Sequence, residues 1–285
     1  MTFLGAKPAP SRGGAGGLER IVIVGVPFDA TSTFRPGSRA APAAIRWGSQ
    51  SIETYSPVLR RDLEEAPVFD GGDVELTGSD TEAMRSAVRE RLADLPVSAI
   101  PIVLGGEHTV TLPAVEVLRR SHRDLAVLQL DAHPDLRDEY DGRSVSHATV
   151  MRRIADLLGA RSIAQYGVRS GTPDEFDLAR RSLQHSSPHL AVPPAIWSWL
   201  EQRPVYVTLD IDVIDPADAP GTGNPEPEGV PARELLTFVR RLGALRVVGF
   251  DLVEVSPPYD PSGRTAILAA TILREAILAI APRPA

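Results

Sequence analysis

The stretch LAVLQLDAHPDLR, residues 125–137, joins an apolar run of strand length to a cluster of polar groups. Leu125, Ala126, Val127, Leu128 and Leu130 are interrupted only by Gln129, as in a buried strand. Asp131, His133 and Asp135 then follow at alternate positions. Alternate side chains of an extended chain share a face, so two carboxylates and an imidazole converge beyond the strand's carboxyl end. Such a group makes a poor core, but it supplies oxygen and nitrogen donors with net negative charge, the ligand chemistry of a metal ion. The competing reading is a hydrated turn with an incidental histidine, and the rest of the chain has to decide.

Working outward, apolar segments of strand length recur at 20–26, 68–70, 99–104, 163–168, 204–209 and 246–250. Helical patterns separate them at 40–47, 80–95, 109–120, 146–159, 173–183, 230–242 and 265–281, some opened by cap-type residues such as Asp80 and Ser146. This alternation, with no repeat or composition break across 19–285, predicts one α/β domain whose parallel sheet is covered by helices on both sides. A closed eight-stranded barrel shows the same alternation, so the pattern leaves both open. In either case reactive groups belong at the carboxyl ends of the strands. Four predicted strands lead into His108, Asp131, Asp210 and Glu254.

Residues 1–18, rich in Gly, Pro and Ala, read as a mobile leader. The polar loop 28–39 reads as a candidate rim of a site, because it follows a strand end. His108 follows Gly105 and Gly106, whose missing side chains permit close backbone approach, as at a ligand. His147 falls in the first turn of a predicted helix, where the positive end lowers an imidazole pKa. Asp215, before Pro216, reads as a turn builder. His122, His185 and His189 lack partners at ligand spacing and read as surface residues, the last two in a Ser/Pro-rich loop.

Composition removes whole classes of chemistry. The chain has 285 residues, 43% hydrophobic and 24% charged, with a net charge of −7. That balance gives no basic footprint for nucleic acid and suits a cationic small molecule. No segment is long and apolar enough for a membrane span, and the amino terminus lacks the apolar core of a signal peptide, so a cytoplasmic location is expected. Cysteine is absent, which excludes thiolate nucleophiles, cysteine ligands and disulfides. The only lysine is Lys7, in the leader, which excludes a P-loop or Schiff-base lysine in the body.

Pooling the strand ends gives His108, Asp131, His133, Asp135, Asp210 and Asp212, too many donors for one ion. With bridging carboxylates, six such groups fit two divalent ions roughly 3.5–4 Å apart. Oxygen-rich, thiolate-free ligation that includes imidazole favours Mn²⁺ over Mg²⁺. Two such ions lower the pKa of a shared water, and the chemistry implied is metal-assisted hydrolysis.

FRPGSR, GGEH, DAHPD, SHAT, DIDVIDP, APGTGNPEP and DLVEVSPP, spread over nearly the whole chain after the leader, resemble the ureohydrolase family of arginases and agmatinases. The resemblance implies a three-layer α/β/α fold with a mostly parallel sheet of about eight strands, which selects the open sheet over the barrel. It implies two Mn²⁺ per chain, one held by His108, Asp131, Asp135 and Asp210 and the other by Asp131, His133, Asp210 and Asp212. The catalytic positions it implies are Asp131, His147 as proton shuttle and Glu254 as guanidinium anchor, with Glu254, Arg137 and Ser170 at the substrate. Arg137 and Ser170 stand where arginases carry Asn and Asp for the amino-acid head of arginine. The chain therefore looks like an agmatinase, which hydrolyses agmatine to putrescine and urea in polyamine biosynthesis. The competing substrate is a guanidino acid such as guanidinobutyrate or guanidinopropionate, whose carboxylate would meet Arg137. Arginase or formiminoglutamase activity and a non-catalytic guanidino-binding regulator are the remaining alternatives. GGEH replaces the commoner GGDH, and Ala148 stands where many relatives have glycine. The family's assemblies imply a homotrimer or homohexamer.

Overall fold

Nine strands, every neighbouring pair parallel, form the central sheet of the computed structural model, which describes residues 1–9 and 20–282. They are β1 (Lys7–Pro8), β2 (Arg20–Val26), β5 (Val68–Asp73), β6 (Ala99–Gly105), β7 (Ala126–Leu130), β8 (Ile163–Tyr166), β9 (His185–Ser187), β10 (Pro204–Asp210) and β11 (Arg246–Val253). β3 (Tyr55–Ser56) and β4 (Arg61–Asp62) pair separately as a small antiparallel ribbon. The order across the sheet is β1-β5-β2-β6-β11-β10-β7-β8-β9, with β1 and β9 at opposite edges, so the sheet is open.

Alternation along each strand sorts apolar side chains between two cores. Ile21, Ile23, Ala126, Leu128 and Leu130 join one cluster; Val22, Val24, Leu125 and Val127 join the other. The first core is covered by α1 (Ala41–Ser49), α6 (Pro194–Glu201), α7 (Ala232–Arg241) and α8 (Arg264–Ile280). The second is covered by α2 (Thr81–Ala93), α3 (Thr111–Leu118), α4 (Val150–Leu158) and α5 (Pro173–Ser182). Helices such as α4 turn a narrow apolar stripe inward, here Val150, Met151 and Ile154, whereas α8 is buried over more than half of its length. Burial on both faces explains why β6, β7 and β10 read as nearly unbroken apolar runs.

The connections decide where the site lies. The chain leaves β6, passes through α3 and returns as β7 three places along the sheet; β10 and β11 later fill the gap. Thus β6, β11, β10 and β7 are consecutive neighbours, and their carboxyl ends stand side by side although the residues concerned span 105 to 253 of the chain.

Two expectations need correction. The first nine residues do not behave as a mobile leader: Phe3 is buried, its amide donates to Asp70 Oδ2 at 2.8 Å, and β1 extends the sheet beside β5. One aromatic anchor supplies the burial that the Gly/Pro/Ala composition conceals; residues 10–18 of that leader lie outside the described residues. The pairing of β1 brings the mostly parallel sheet to nine strands, in keeping with the open sheet of about eight that the resemblance implied. Finally, the Ser/Pro-rich segment of His185 and His189 is not all loop, since β9 lies at its start, and α6, for which no helix was expected, follows it. Pro194 opens α6 at its first position, where a missing N–H costs nothing. Among the described residues no helix is long and apolar enough to cross a membrane.

Candidate metal centre

Asp131, the first residue beyond β7, is fully buried and faces two histidines. Its Oδ2 lies 3.1 Å from Nδ1 of His108, and its Oδ1 lies 3.7 Å from Nδ1 of His133. His108 Nδ1 is also 2.9 Å from Asp135 Oδ2 and 3.6 Å from Asp210 Oδ2. On the other side, His133 Nδ1 lies 3.0 Å from Asp212 Oδ2. Two compact ligand groups result, His108 with Asp131 and Asp135, and Asp131 with His133 and Asp212. Asp131 belongs to both. Asp210 belongs to neither compact group; its Oδ2 faces His108 while its Oδ1 accepts the Asp212 amide at 2.9 Å.

The donor set fits a cation. Nδ1 of His108 is buried among carboxylate oxygens yet makes no well-formed hydrogen bond, whereas Nε2 meets Thr208 Oγ1 at 2.8 Å. The Thr208 hydroxyl spends its proton on Asp251 Oδ1 at 2.6 Å, so toward His108 it accepts. The neutral ring of His108 therefore carries its proton on Nε2, which leaves the Nδ1 lone pair for a cation among the carboxylates. Fixing a ligand histidine through its remote nitrogen is the usual way a protein aims it at a metal. Asp131 is aimed likewise: Gln129 Nε2 donates to its Oδ2 at 2.7 Å and the His133 amide to its Oδ1 at 2.6 Å.

Backbone geometry holds these groups in place. Asp135 and Glu254 adopt φ of 54° and 64°, left-handed values that cost a side-chain-bearing residue energy and are retained here at the site itself. Gly106 has the close-approach role expected of it, but the neighbour is protein and not a ligand. A Cβ there would stand 1.8 Å from the Phe28 carbonyl oxygen. The Gly106 and Glu107 amides donate to Val26 and Phe28, and Gly106 in turn accepts from the Glu254 amide.

The centre opens into a cavity of about 250 Å³. Every predicted site residue lines it except Asp131, which lies buried behind the others. Glu254 accepts the His108 amide at 2.7 Å through Oε1. Arg137 lies with its guanidinium 4.5 Å over the Tyr140 ring and 3.4 Å from Glu175 Oε2. Ser170 donates to Glu226 Oε1 at 2.8 Å, and that oxygen stands 3.6 Å from His133 Nε2. The loop after β2 does form part of the rim, through Thr33.

The sequence profile of the arginase family matches residues 19–279. The chain belongs to the arginase family. The agmatinase of Bacillus anthracis is 41% identical over 90% of this chain and 91% of that protein. The guanidinobutyrase of Pseudomonas aeruginosa is 35% identical over 89% and 84%. Among solved structures, the agmatine ureohydrolase of Thermoplasma volcanium is 38% identical with a TM-score of 0.80, covering 92% of this chain and 90% of that one. The proclavaminate amidino hydrolase of Streptomyces clavuligerus is 32% identical with a TM-score of 0.86, covering 98% and 97%.

In this arginase-family chain, burial and the crowding of charged groups shift the titration of the site residues. Burial lowers His108, but the adjacent carboxylates of Asp131 and Asp135 carry it well above its ordinary value. His133, also opposed by burial, is pushed up to about 12, chiefly by Asp212. Burial and then the Asp131 charge push Asp135 up to about 7. Burial, followed by Asp212 and Asp131, pushes Asp210 well up; burial and Glu107 do the same to Glu254. Asp131 moves the other way, because bonds to His108 and His133 outweigh its burial. His147 is lowered to about 4, first by burial and then by the charges of His108 and His133. It sits in a short 3-10 turn ahead of α4, so the cause differs from the helix-end effect expected.

Several participants escaped the sequence. Gln129 stood out only as a break in an apolar run. Thr208 lay inside a strand and Thr31 in a polar loop, Asp251 and Arg169 followed strand ends without a role, and Glu226 gave no signal of its own. Arg169 ties two loops of the site together by donating to the carbonyls of Asp212 and Glu226 at 2.8 and 2.7 Å. Asp215 builds a turn as expected, accepting from Ala217 and Gly229. His122, His185 and His189 lie away from the cavity, but His185 is a half-buried strand residue beside Tyr166 and not a surface group.

Proposed function

We propose that the protein is a binuclear manganese ureohydrolase acting on agmatine, with putrescine and urea as products. One ion would be held by His108, Asp131, Asp135 and Asp210, and the other by Asp131, His133, Asp210 and Asp212. When bound, the ions supply an activated water near neutral pH. The other tasks fall to the chain. Glu254 grips the planar guanidinium, a role suited to a carboxylate whose rotation is fixed by the His108 amide. Hydrolysis adds oxygen to the guanidino carbon, breaks the C–N bond and leaves the amine needing a proton. His147, whose burial beside the centre favours the neutral ring, accepts a proton and passes it to that amine.

The observation that carries the choice of agmatine is the presence of two carboxylates, Glu254 and Glu226, in the lining of one cavity. Glu254 offers one for the guanidinium, and Glu226, beyond the His133 ring, offers another for the distal ammonium. Arg137, the group that would welcome a guanidino acid, is already engaged by Glu175 and Tyr140. It is nonetheless partly exposed in the same cavity, which keeps guanidinobutyrate as the second reading.

Urea release from Mn²⁺-loaded protein with agmatine, arginine, guanidinobutyrate and guanidinopropionate tests this. The highest kcat/KM is expected with agmatine. Glu226→Gln should raise KM for agmatine about tenfold, the loss of one charge-assisted contact, and leave guanidinobutyrate unaffected. Preference for guanidinobutyrate reverses the substrate assignment, and no urea from any of the four removes the hydrolase reading.

A further inference from the structure

The hydroxyl of Thr31 lies in the loop between β2 and α1 and meets the imidazole of His147, Oγ1 to Nδ1, at 3.2 Å. Both residues are buried. The same oxygen accepts the His147 amide at 3.1 Å. Its proton is committed elsewhere, to Glu107 Oε1 at 2.6 Å. Glu107 is fully buried and takes donors on both oxygens: the Thr109 hydroxyl at 2.7 Å on Oε1 and the Thr31 amide at 2.7 Å on Oε2. Burial pushes the Glu107 carboxyl up, but the donors from Thr31 and Thr109 oppose that shift and each occupies a lone pair, so the group accepts, and Thr109, 3.3 Å from Thr31, gives its proton to that nearer oxygen.

The remaining arithmetic is forced. A hydroxyl has one proton and two lone pairs. Thr31 gives its proton to Glu107, and one lone pair takes the His147 amide. The other is left facing Nδ1, and an oxygen that can only accept requires a proton on that nitrogen. Nδ1 must then be protonated in the neutral ring, which leaves Nε2 with the free lone pair. We infer that Thr31, backed by Glu107, is a positioning residue that fixes the tautomer of His147 and presents Nε2 as the proton-accepting atom of the cavity. The inference rests on the hydrolase reading above, since it concerns the histidine that moves a proton there. It also gives a task to the glutamate of GGEH, whose side chain reaches from the metal-ligand segment to the loop after β2.

The test compares Mn²⁺-loaded wild type with Thr31→Val, Thr31→Ala, Thr31→Ser and His147→Asn, alone and combined, with the melting temperature and metal content of each measured. Thr31→Val removes the hydroxyl at nearly constant volume and should lower kcat at least about tenfold, within the range of a misaligned general base, while KM and two bound metals are kept. Thr31→Ser should restore turnover to within about threefold of wild type, because serine keeps the acceptor oxygen. In the His147→Asn background Thr31→Val should bring no further loss. If Thr31→Val does not fold, Thr31→Ala makes the same comparison. A folded hydroxyl-free variant that turns over like wild type overturns the inference. So does one whose loss multiplies fully with that of His147→Asn. A wild type that releases no urea fails the hydrolase reading itself, and with it the role given to Thr31; an active wild type with an unaffected Thr31→Val fails this inference alone.

Discussion

Asp131 faces both imidazoles and is held from both sides, its Oδ1 by the His133 amide and its Oδ2 by Gln129. Because it belongs to both ligand groups, Asp131→Ala should empty the centre and not half of it. Elemental analysis is expected to find less than one Mn²⁺ per chain, with urea release lost; retention of two would refute a bridging role. Gln129→Met keeps every proposed ligand and frees the Asp131 carboxylate to rotate. Loss of such an orienting partner typically weakens metal binding by about 10–100-fold, and a Mn²⁺ titration against a chelator reads that directly. Unchanged affinity would mean that the His133 amide alone suffices. Gln129 is itself oriented by Gln165, which donates to its Oε1 at 2.6 Å, so the buried amides form a chain leading away from the site. In the sequence it was only a polar gap in an apolar strand, because a one-dimensional pattern carries no information about which oxygen a buried amide faces.

At the scale of elements, legibility followed burial. The four strands at the centre of the sheet are covered on both faces, and their apolar runs stood out because each side chain has a core to enter. The edge strands β1 and β9 have two and three residues, too few for any periodicity, and were missed. β1 is held less by its two-residue pairing than by what surrounds it. Phe3 enters the core beside Leu63 and Ala66, and its amide bonds Asp70, which Arg46 also grips through Nε and Nη2 at 2.8 and 2.9 Å. Phe3→Ala should cost about 3 kcal/mol, the lower end for a buried phenylalanine, since an edge segment can relax. For a chain of this size that corresponds to a drop in Tm on the order of 5 °C. Metal content should not change, because β5 and β2 separate β1 from the nearest ligand-bearing strand. A thermal melt with parallel metal analysis checks both halves, and an unchanged Tm would show that the first nine residues do not dock in solution.

Across the whole molecule, the sequence named the donors but could not place them, since their proximity depends on β10 and β11 entering between β6 and β7. That insertion brings more carboxylates together than a metal-free protein tolerates, and the consequence is measurable as a pH dependence. Asp135 moves from an ordinary 3.8 up to about 7 in the folded chain, and His133 from 6.5 up to about 12. A group whose folded pKa is raised stabilises the fold at low pH and loses that contribution as pH climbs from the unfolded to the folded value. For Asp135 the loss falls between 3.8 and about 7, and for His133 between 6.5 and about 12. His147 has the opposite sign: lowered from 6.5 to about 4, it adds stability as pH rises through that interval and nothing further above it. Between pH 6.5 and 9, then, the metal-stripped protein should only lose stability, with Tm falling on the order of several degrees. Metal binding needs the same carboxylates ionised and the same imidazoles neutral, so Mn²⁺ displaces the protons and binds more tightly as pH rises. The gap in Tm between Mn²⁺-loaded and chelator-stripped protein should therefore widen across that range. A gap that stays constant would mean that the metal does not compete with protons at Asp135 and His133, and the ligand assignment of both would fall together.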